Sequence, residues 1–221
     1  MARPYVTLKL ATSLDGRIAT ASGESRWITG EAARAQVHRM RADHDAVMIG
    51  AETARRDNPS LLARTEPPTD PQPARVVITN RFDILFEGKL YEGLDQSPLF
   101  VFGRERSGPA QRAILEGAGA RVEEAPALGD GIDVAAVLAR LDAMGCKSVL
   151  AEGGGRLAAS LIAGDLVDRL EWFRAPLALG ASGRPAIGDL PYGALGQAPR
   201  WRRVALRELG PDLWESYERA R

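Results

Sequence analysis

Short apolar runs alternate with amphipathic segments along most of the chain. The first run, residues 5–11, changes side at every residue, with Val6 and Leu8 on one face and Thr7 and Lys9 on the other, which is the period of a strand. Similar runs predict strands at residues 5–11, 46–49, 75–79, 99–102, 121–124, 148–151, 170–178, 201–209 and 213–217. Apolar positions at helical spacing predict helices at residues 31–41, 52–56, 110–115, 134–144 and 156–163.

The order of these elements predicts an α/β fold. Strands that alternate with helices are typical of a mainly parallel central sheet flanked by helices. The last two strands are joined through Gly210-Pro211 and are expected to form an antiparallel C-terminal hairpin. Thr29 is the expected N-cap of the first helix. Because no repeat or linker divides the sequence, residues 1–221 are expected to form a single domain.

Composition and charge exclude several classes of function. Hydrophobic residues make up 45% of the chain and charged residues 26%, as in an ordinary globular protein. The 29 basic and 29 acidic residues balance, and no basic stripe interleaves with aromatic residues, so no nucleic-acid partner is expected. With one cysteine and two histidines, the chain cannot build a cysteine zinc site or a histidine cluster, and no metal is expected.

Hydropathy also bears on location. No apolar run approaches the roughly 20 residues that a membrane-spanning helix requires, so no membrane partner is expected. The first strand follows Met1 closely and leaves no room for a signal peptide. A cytoplasmic location is therefore expected.

A run of three glycines, Gly153, Gly154 and Gly155, follows Glu152 and the predicted strand at residues 148–151, and it precedes a predicted helix that begins at Arg156. Glycines let backbone N–H groups approach a ligand closely, and the N-terminus of a helix favours a phosphate. The pattern predicts a nucleotide cofactor here, with Glu152 facing the reacting group. A simple tight turn is the alternative.

The first strand delivers further candidate residues. Lys9 lies on its polar face, and Asp15 and Gly16 lie in the loop after it, where ligands of α/β sheets bind. Alternatively, Lys9 extends from an edge strand into solvent, and Asp15-Gly16 is an ordinary turn pair. Trp27, in a polar loop, is suited to stack on a flat ring but could equally be a core residue.

In combination, several segments resemble the reductase domain of riboflavin biosynthesis, the C-terminal part of a bifunctional deaminase–reductase family. The resemblance covers nearly the whole chain and is carried by residues 9–19, 23–29, 53–59, 149–155, 166–168 and 175–176. It implies a fold similar to that of dihydrofolate reductase, NADPH as cofactor, and a homodimer. It also implies a phosphorylated ribosylaminopyrimidine substrate, whose ribosyl side chain is reduced.

The resemblance also assigns roles by position. It implies cofactor contacts at Ala11, Trp27, Thr53, Asp57, Asn80, Gly153, Gly154, Gly155, Arg156, Leu157, Ala158, Ala159 and Ser160. It implies substrate contacts at Ser25, Arg41, Leu61, Arg64 and Glu152. A guanidinium matches phosphate oxygens well, so the two arginines are expected to clamp the substrate 5-phosphate.

Three residues are candidates for the chemistry. Reduction of the N-glycoside requires ring opening to an imine, hydride transfer to C1 and accompanying proton transfers. Lys9 is the expected proton donor or stabiliser of a sugar oxyanion, and Glu152 is expected to orient a hydroxyl group. Asp15 is a weaker candidate that could instead anchor its loop.

The sequence departs from the family in two respects. It has no His-x-Glu and no Pro-Cys-x-x-Cys motif, so the zinc deaminase domain is not expected. Asn80 and Arg81 stand where relatives carry Asp-Ser, on the adenosine side of the cofactor. Arg81 or Arg104 could contact the cofactor 2′-phosphate, or both could be ordinary surface arginines.

The substrate stays open at this point. It could be 5-amino-6-(5-phosphoribosylamino)uracil, its 2,5-diaminopyrimidinone precursor, or another heterocyclic or carbonyl compound. A nucleotide-binding protein without turnover is the alternative from another class.

Overall fold

The computed structural model describes residues 2–220, which contain five α-helices and thirteen β-strands. The helices are α1 (Glu31–Ala42), α2 (Ala51–Asp57), α3 (Pro109–Gly117), α4 (Val134–Ala143) and α5 (Gly155–Ala163). The strands are β1 (Tyr5–Thr12), β2 (Arg17–Ala19), β3 (Ala46–Gly50), β4 (Ala74–Ile78), β5 (Leu99–Arg104), β6 (Arg121–Ala125), β7 (Ala127–Leu128), β8 (Gly131–Ile132), β9 (Ser148–Glu152), β10 (Arg169–Arg174), β11 (Arg184–Pro185), β12 (Trp201–Leu209) and β13 (Asp212–Arg219).

The chain divides into two compact units. Unit 1 consists of Met1–Tyr5 and His38–Leu150, and unit 2 of Val6–Val37 and Ala151–Arg221. In unit 1, β3, β4, β5 and β6 are neighbours in that order, and all three pairs are parallel. The apolar strand residues that predict this sheet form its core, for example Val47, Val77 and Val101, which are fully buried.

A buried arginine secures a long loop in unit 1. Arg75 lies in β4 and is fully buried, although its position in a strand core would suit an apolar residue. Its guanidinium donates to the carbonyl oxygens of Glu92 and Gly93, at 2.8 and 3.3 Å, and to that of Ser97. Removal from water lowers the pKa of this group, and its hydrogen bonds to the three carbonyl groups tie the loop from Glu92 to Ser97 to β4.

In unit 2, the strand order is β12, β13, β10 and β1. β1 is parallel to β10, whereas β10 and β12 are both antiparallel to β13. Buried Glu171 joins β10 to β13 because its carboxylate accepts from the Trp214 indole N–H at 2.5 Å and from the Ser216 hydroxyl at 2.6 Å. The predicted mainly parallel sheet with an antiparallel C-terminal hairpin is thus confirmed.

A short segment of unit 2, residues 184–188, links two loops by backbone contacts. Arg184 and Pro185 pair with β2, and the N–H of Ala186 donates to the carbonyl of Gly16 at 3.0 Å. The N–H of Gly188 donates to the carbonyl of Gly155 at 2.9 Å. The segment therefore contacts both the loop after β1 and the glycine run before α5.

Most predicted elements are confirmed, and the differences have local causes. The strand predicted at residues 170–178 ends at Arg174, because Pro176 has no N–H to donate to a neighbouring strand. α1 begins at Glu31, so Gly30 rather than the predicted Thr29 precedes it. The N–H of Gly30 donates to the Asp212 carboxylate at 2.6 Å.

Candidate functional site

The glycine run of unit 2 forms the turn between β9 and α5. The conformation and packing of this turn require glycine at only some of its positions. Gly153 has a φ of +149°, which side-chain-bearing residues rarely adopt. Gly154 precedes the helix with a φ of −67°, which is ordinary for any residue. Among residues 2–220, no side chain caps α5, so its first N–H groups have no side-chain acceptor there.

Gly155 is required by packing within the protein. A Cβ atom at this position would lie 2.8 Å from the carbonyl oxygen of Pro185 and 3.0 Å from the backbone nitrogen of Gly188. Both are backbone atoms that cannot rotate away. The backbone conformation of Gly154 does not itself require glycine, and a glycine there leaves the backbone open to the close approach of a ligand.

The helix after the turn presents few side chains to a ligand. Leu157, Ala158 and Ala159 are buried, whereas Arg156 and Ser160 are exposed. A cofactor at the N-terminus of α5 would therefore contact Leu157, Ala158 and Ala159 through their backbone atoms.

Lys9 and Glu152 lie on β1 and β9, which are neighbouring strands. Glu152 is the last residue of β9 and is only 9% exposed. Lys9 is half-buried, and its Nζ lies 5.9 Å from the centroid of the Phe173 ring. Ala11, also on β1, is half-buried opposite Phe173 on β10. The two ionisable candidates, Lys9 and Glu152, thus lie on adjacent strands of the sheet.

Asp15 anchors the loop after β1. Its carboxylate accepts from the Ser13 hydroxyl at 2.6 Å and from the backbone N–H groups of Leu179 and Gly180 at 3.0 and 2.7 Å. These hydrogen bonds, with that of Ser13 the largest cause, lower the pKa of Asp15 to about 2. Such a carboxyl group is ionised near neutral pH, so the contacts favour the anchor and argue against proton donation.

Trp27 is not a core residue, since 69% of its surface is exposed. The Arg34 guanidinium lies 4.6 Å from its ring centroid. Both residues line a cavity of about 380 Å³, together with Thr29, Pro176 and Asp212. Ser25, half-buried, belongs to the same polar loop as Trp27. A cavity of this size beside an exposed aromatic ring can hold a small ligand.

In unit 1, the candidates at residues 53–64 follow β3. Thr53 and Asp57 lie on α2 and are half-buried. Leu61 is 1% exposed, and its side chain belongs to the apolar core, so any substrate contact at this position would come from its backbone. Arg41 donates to the Leu62 carbonyl at 3.2 Å.

Gln72 fixes the conformation of this loop, and sequence reasoning missed it. Its side-chain amide oxygen accepts from the Ala63 N–H, and its amide nitrogen donates to the Ala63 carbonyl, both at 2.9 Å. Arg64 follows directly, is exposed, and contacts His38 through its backbone and its side chain. Nothing in the proline-rich stretch around Gln72 signals this role, because the pairing partner lies nine residues away.

The turn after β4 is packed against β5. The end of the Phe82 ring contacts Gly103, where any Cβ atom would overlap it, and the Thr79 hydroxyl donates to Asp83 at 2.6 Å. Asn80 is exposed, and its amide nitrogen donates to the Asp130 carbonyl at 3.0 Å. Arg81, beside it, is exposed as well.

Two classes of site find no support within residues 2–220. No group of three or more His, Cys, Asp or Glu side chains in this part of the chain could hold a metal ion. No helix within residues 2–220 is both long enough and apolar enough to span a membrane.

The RibD C-terminal domain family model matches residues 4–214. The chain belongs to this family. The riboflavin biosynthesis protein RibD of Bacillus amyloliquefaciens is 32% identical over 212 residues, which are 95% of the chain and 56% of that protein. The chain thus spans about half the length of the curated relatives it matches. The resemblance seen in the sequence is confirmed.

Solved structures of the family have the same fold. A Thermotoga maritima protein, named as a diaminohydroxyphosphoribosylaminopyrimidine deaminase/5-amino-6-(5-phosphoribosylamino)uracil reductase, is 25% identical with a TM-score of 0.81, over 99% of the chain and 57% of its own. Dihydrofolate reductase from Enterococcus faecalis, complexed with NADP(H), is 14% identical with a TM-score of 0.50, over 97% of the chain and 96% of its own. The second likeness concerns the fold alone and confirms the expected resemblance to dihydrofolate reductase.

Proposed function

We propose that the protein reduces the ribosyl side chain of 5-amino-6-(5-phosphoribosylamino)uracil to the ribitylamino form, with NADPH as the reductant. The observation that carries this proposal is the match of the RibD C-terminal domain model to residues 4–214. The name of the Thermotoga maritima relative includes this reductase activity. The local geometry of the candidate residues supports the proposal in three respects.

The first is a backbone cradle for the cofactor. The uncapped first turn of α5 and the absence of a side chain at Gly154 suit the phosphates of a dinucleotide. Trp27 offers an exposed ring beside a cavity, and we assign further cofactor contacts to Ala11, Thr53, Asp57, Asn80 and residues 153–160. NADPH supplies the hydride; the protein positions it.

The second is a pair of arginines for the substrate phosphate. Arg41 is held against the loop carbonyl of Leu62, and Arg64 lies on the same loop. Guanidinium groups bind phosphate oxygens through paired N–H donors. We assign Arg41 and Arg64 to the 5-phosphate and place Ser25, Glu152 and the backbone of Leu61 among the substrate contacts.

The third is a lysine and a carboxylate on neighbouring strands. As the C1–O bond of the ribose ring breaks, the ring oxygen gains negative charge and takes up a proton. Lys9, a cation on a rigid strand, can donate that proton or stabilise the oxyanion. Glu152, on the neighbouring strand, can accept a hydrogen bond from a sugar hydroxyl and so fix the sugar. Asp15 has no part in this step, because its oxygens are occupied by the loop.

The test is NADPH oxidation followed by absorbance, with the uracil substrate and its 2,5-diaminopyrimidinone precursor offered separately. Turnover of the uracil compound supports the proposal, whereas turnover of the precursor alone would place the enzyme before deamination. Lys9→Ala and Glu152→Ala should each lower kcat by about a hundredfold or more. Lys89→Ala and Glu105→Ala, which alter exposed side chains elsewhere, are the matched controls.

Two results would contradict the assignments. If Lys9→Ala and Glu152→Ala both keep wild-type turnover, neither residue carries the proton transfer. If NADPH binds but neither pyrimidine is reduced, the cofactor site stands and the substrate is another heterocyclic or carbonyl compound, or the protein only binds the nucleotide.

The proposed function includes a homodimer that acts in the cytoplasm. Support for the dimer comes from β12, which ends the strand order of unit 2 and leaves Leu206 half exposed, at 50%. Light scattering of the purified protein measures its mass directly, and a monomeric mass would contradict the dimer.

A further inference from the structure

A buried carboxylate lines the cavity beside Trp27 and uses only one of its oxygens within the protein. Asp212 is 1% exposed, and one of its carboxylate oxygens accepts from the N–H of Gly30 at 2.6 Å. Within residues 2–220, the other oxygen accepts no hydrogen bond. A buried carboxylate oxygen without a donor costs free energy, so Asp212 is an acceptor that a ligand in the cavity can satisfy.

Arg34 brings hydrogen-bond donors to the same cavity. One of its guanidinium nitrogens donates to the Thr29 carbonyl at 2.8 Å, and the guanidinium lies 4.6 Å from the centroid of the Trp27 ring. These two contacts fix the position of the group, which has five N–H donors in all. Its remaining N–H groups donate to no acceptor in the described part of the chain, so they are available to a ligand.

The rest of the lining limits what the cavity accepts. Its apolar walls come from Ile28, Ala175, Pro176, Leu177 and Pro211. Such walls around a volume of about 380 Å³ suit a flat organic ring. A phosphate here would face the carboxylates of Glu31 and Asp212, and an ammonium group would face the guanidinium of Arg34. The ligand that fits best is therefore uncharged and carries both a donor and an acceptor.

We propose that this cavity binds a flat heterocycle through an amide edge, that is, a carbonyl group next to an N–H. Arg34 donates to the carbonyl oxygen, and the unused oxygen of Asp212 accepts from the N–H. The apolar walls and the Trp27 ring cover the faces of the heterocycle. Arg34 and Asp212 thereby become the residues that distinguish an amide-bearing ring from one without an amide.

The choice of ligands rests on the proposed function. Two rings of the proposed reaction carry an amide edge, namely the nicotinamide of the cofactor and the uracil of the substrate. Both present the same chemistry to Arg34 and Asp212, and the experiment distinguishes between them.

Calorimetry of the full chain measures the dissociation constants of NADPH and of the uracil substrate, each without the other. Asp212→Asn keeps an oxygen for the Gly30 N–H and turns an amide N–H towards the ligand, so that two donors face each other. Arg34→Ala removes the donor to the carbonyl. Each change should weaken the ligand that occupies the cavity about ten- to a hundredfold. Asp189→Asn and Arg202→Ala, which alter exposed side chains of unit 2 outside the cavity, are the matched controls.

Fragments that lack the ring separate a direct contact from a general effect on the fold. 2′-Phospho-ADP-ribose has no nicotinamide, and ribose 5-phosphate has no pyrimidine, so each should bind Asp212→Asn as tightly as the wild type. The acetylpyridine analogue of NADPH carries a methyl group in place of the amide N–H₂. If nicotinamide fills the cavity, this analogue should bind the wild type about tenfold or more weakly than NADPH, and the difference should disappear in Asp212→Asn.

The outcomes separate this inference from the proposed function. A loss of affinity for NADPH or for the uracil substrate, with the matching fragment unaffected, supports the inference and names the ring in the cavity. No loss for either compound, or an equal loss for compounds and fragments, overturns it, even where pyrimidine turnover is observed. If the wild type binds neither compound, the proposed function fails as well. If the cavity behaves as expected but no pyrimidine is reduced, the reductase assignment fails alone.

Discussion

Replacing Gly155 with alanine should destabilise the protein, although alanine is the better helix former. The new Cβ atom would lie 2.8 Å from the Pro185 carbonyl oxygen and 3.0 Å from the Gly188 nitrogen, so residues 184–188 must move. Overpacking of this kind costs about 1–3 kcal/mol. The helix propensity of alanine returns up to about 1 kcal/mol, so the net loss lies between about 0 and 3 kcal/mol, with a central value of about 1.5 kcal/mol. At that central value, Tm of a chain of this size should fall by about 3–6 °C.

Thermal unfolding followed by circular dichroism measures this change, and urea unfolding checks it at constant temperature. Gly117→Ala is the matched control, since Gly117 ends α3 and a Cβ atom there would meet nothing within 4 Å. The control should keep or raise Tm. If Gly155→Ala and Gly117→Ala have the same Tm, the close approach of residues 184–188 does not explain the glycine.

Three further predictions concern single side chains. Burial, and then the charge of Asp45, raise the pKa of Cys146 to about 11, so iodoacetamide should label this thiol slowly at neutral pH and faster as the pH approaches 11; rapid labelling at pH 7 would contradict the burial. The folded pKa of Asp15 lies below its ordinary value of 3.8, so its stabilisation is complete above pH 3.8 and is lost as the pH falls towards 2. Asp15→Asn should therefore have a lower Tm than the wild type at pH 7, with a gap that narrows below pH 3.8, and a gap independent of pH would refute the anchor. Arg81→Glu or Arg104→Glu should impair NADPH use and spare NADH use, and equal effects on both cofactors in steady-state kinetics would exclude a 2′-phosphate contact.

The strands and helices of this fold follow closely from the periodicity of the sequence. The α4 stripe of Val134, Val137, Leu138 and Leu141 is buried as its spacing predicts. The short strands β2, β7, β8 and β11 were not predicted, because two or three residues are too few to show a period.

The sequence predicts which strand, helix or loop carries each candidate residue. It does not predict which distant residues contact it. The Asp-Gly pair at Asp15 signals a turn, yet its partners Leu179 and Gly180 lie over 160 residues away. The close packing of Gly155 depends on a remote backbone segment that no local pattern reveals. His38 lies in helix α1 as predicted, while its contacts with Arg64 depend on a loop held by Gln72. Long-range hydrogen bonds of this kind leave no local trace in a sequence.

The contacts of residues 184–188 have a thermodynamic consequence for ligand binding. One end of this segment is bonded to Gly16 in the loop after β1, and the other to Gly155 at the start of α5. A ligand that orders either end lowers the conformational entropy that remains to be lost at the other. For the cofactor that we propose at the glycine turn, the free energy of binding would therefore be linked to the order of the Asp15 loop, and the linkage would act equally in both directions.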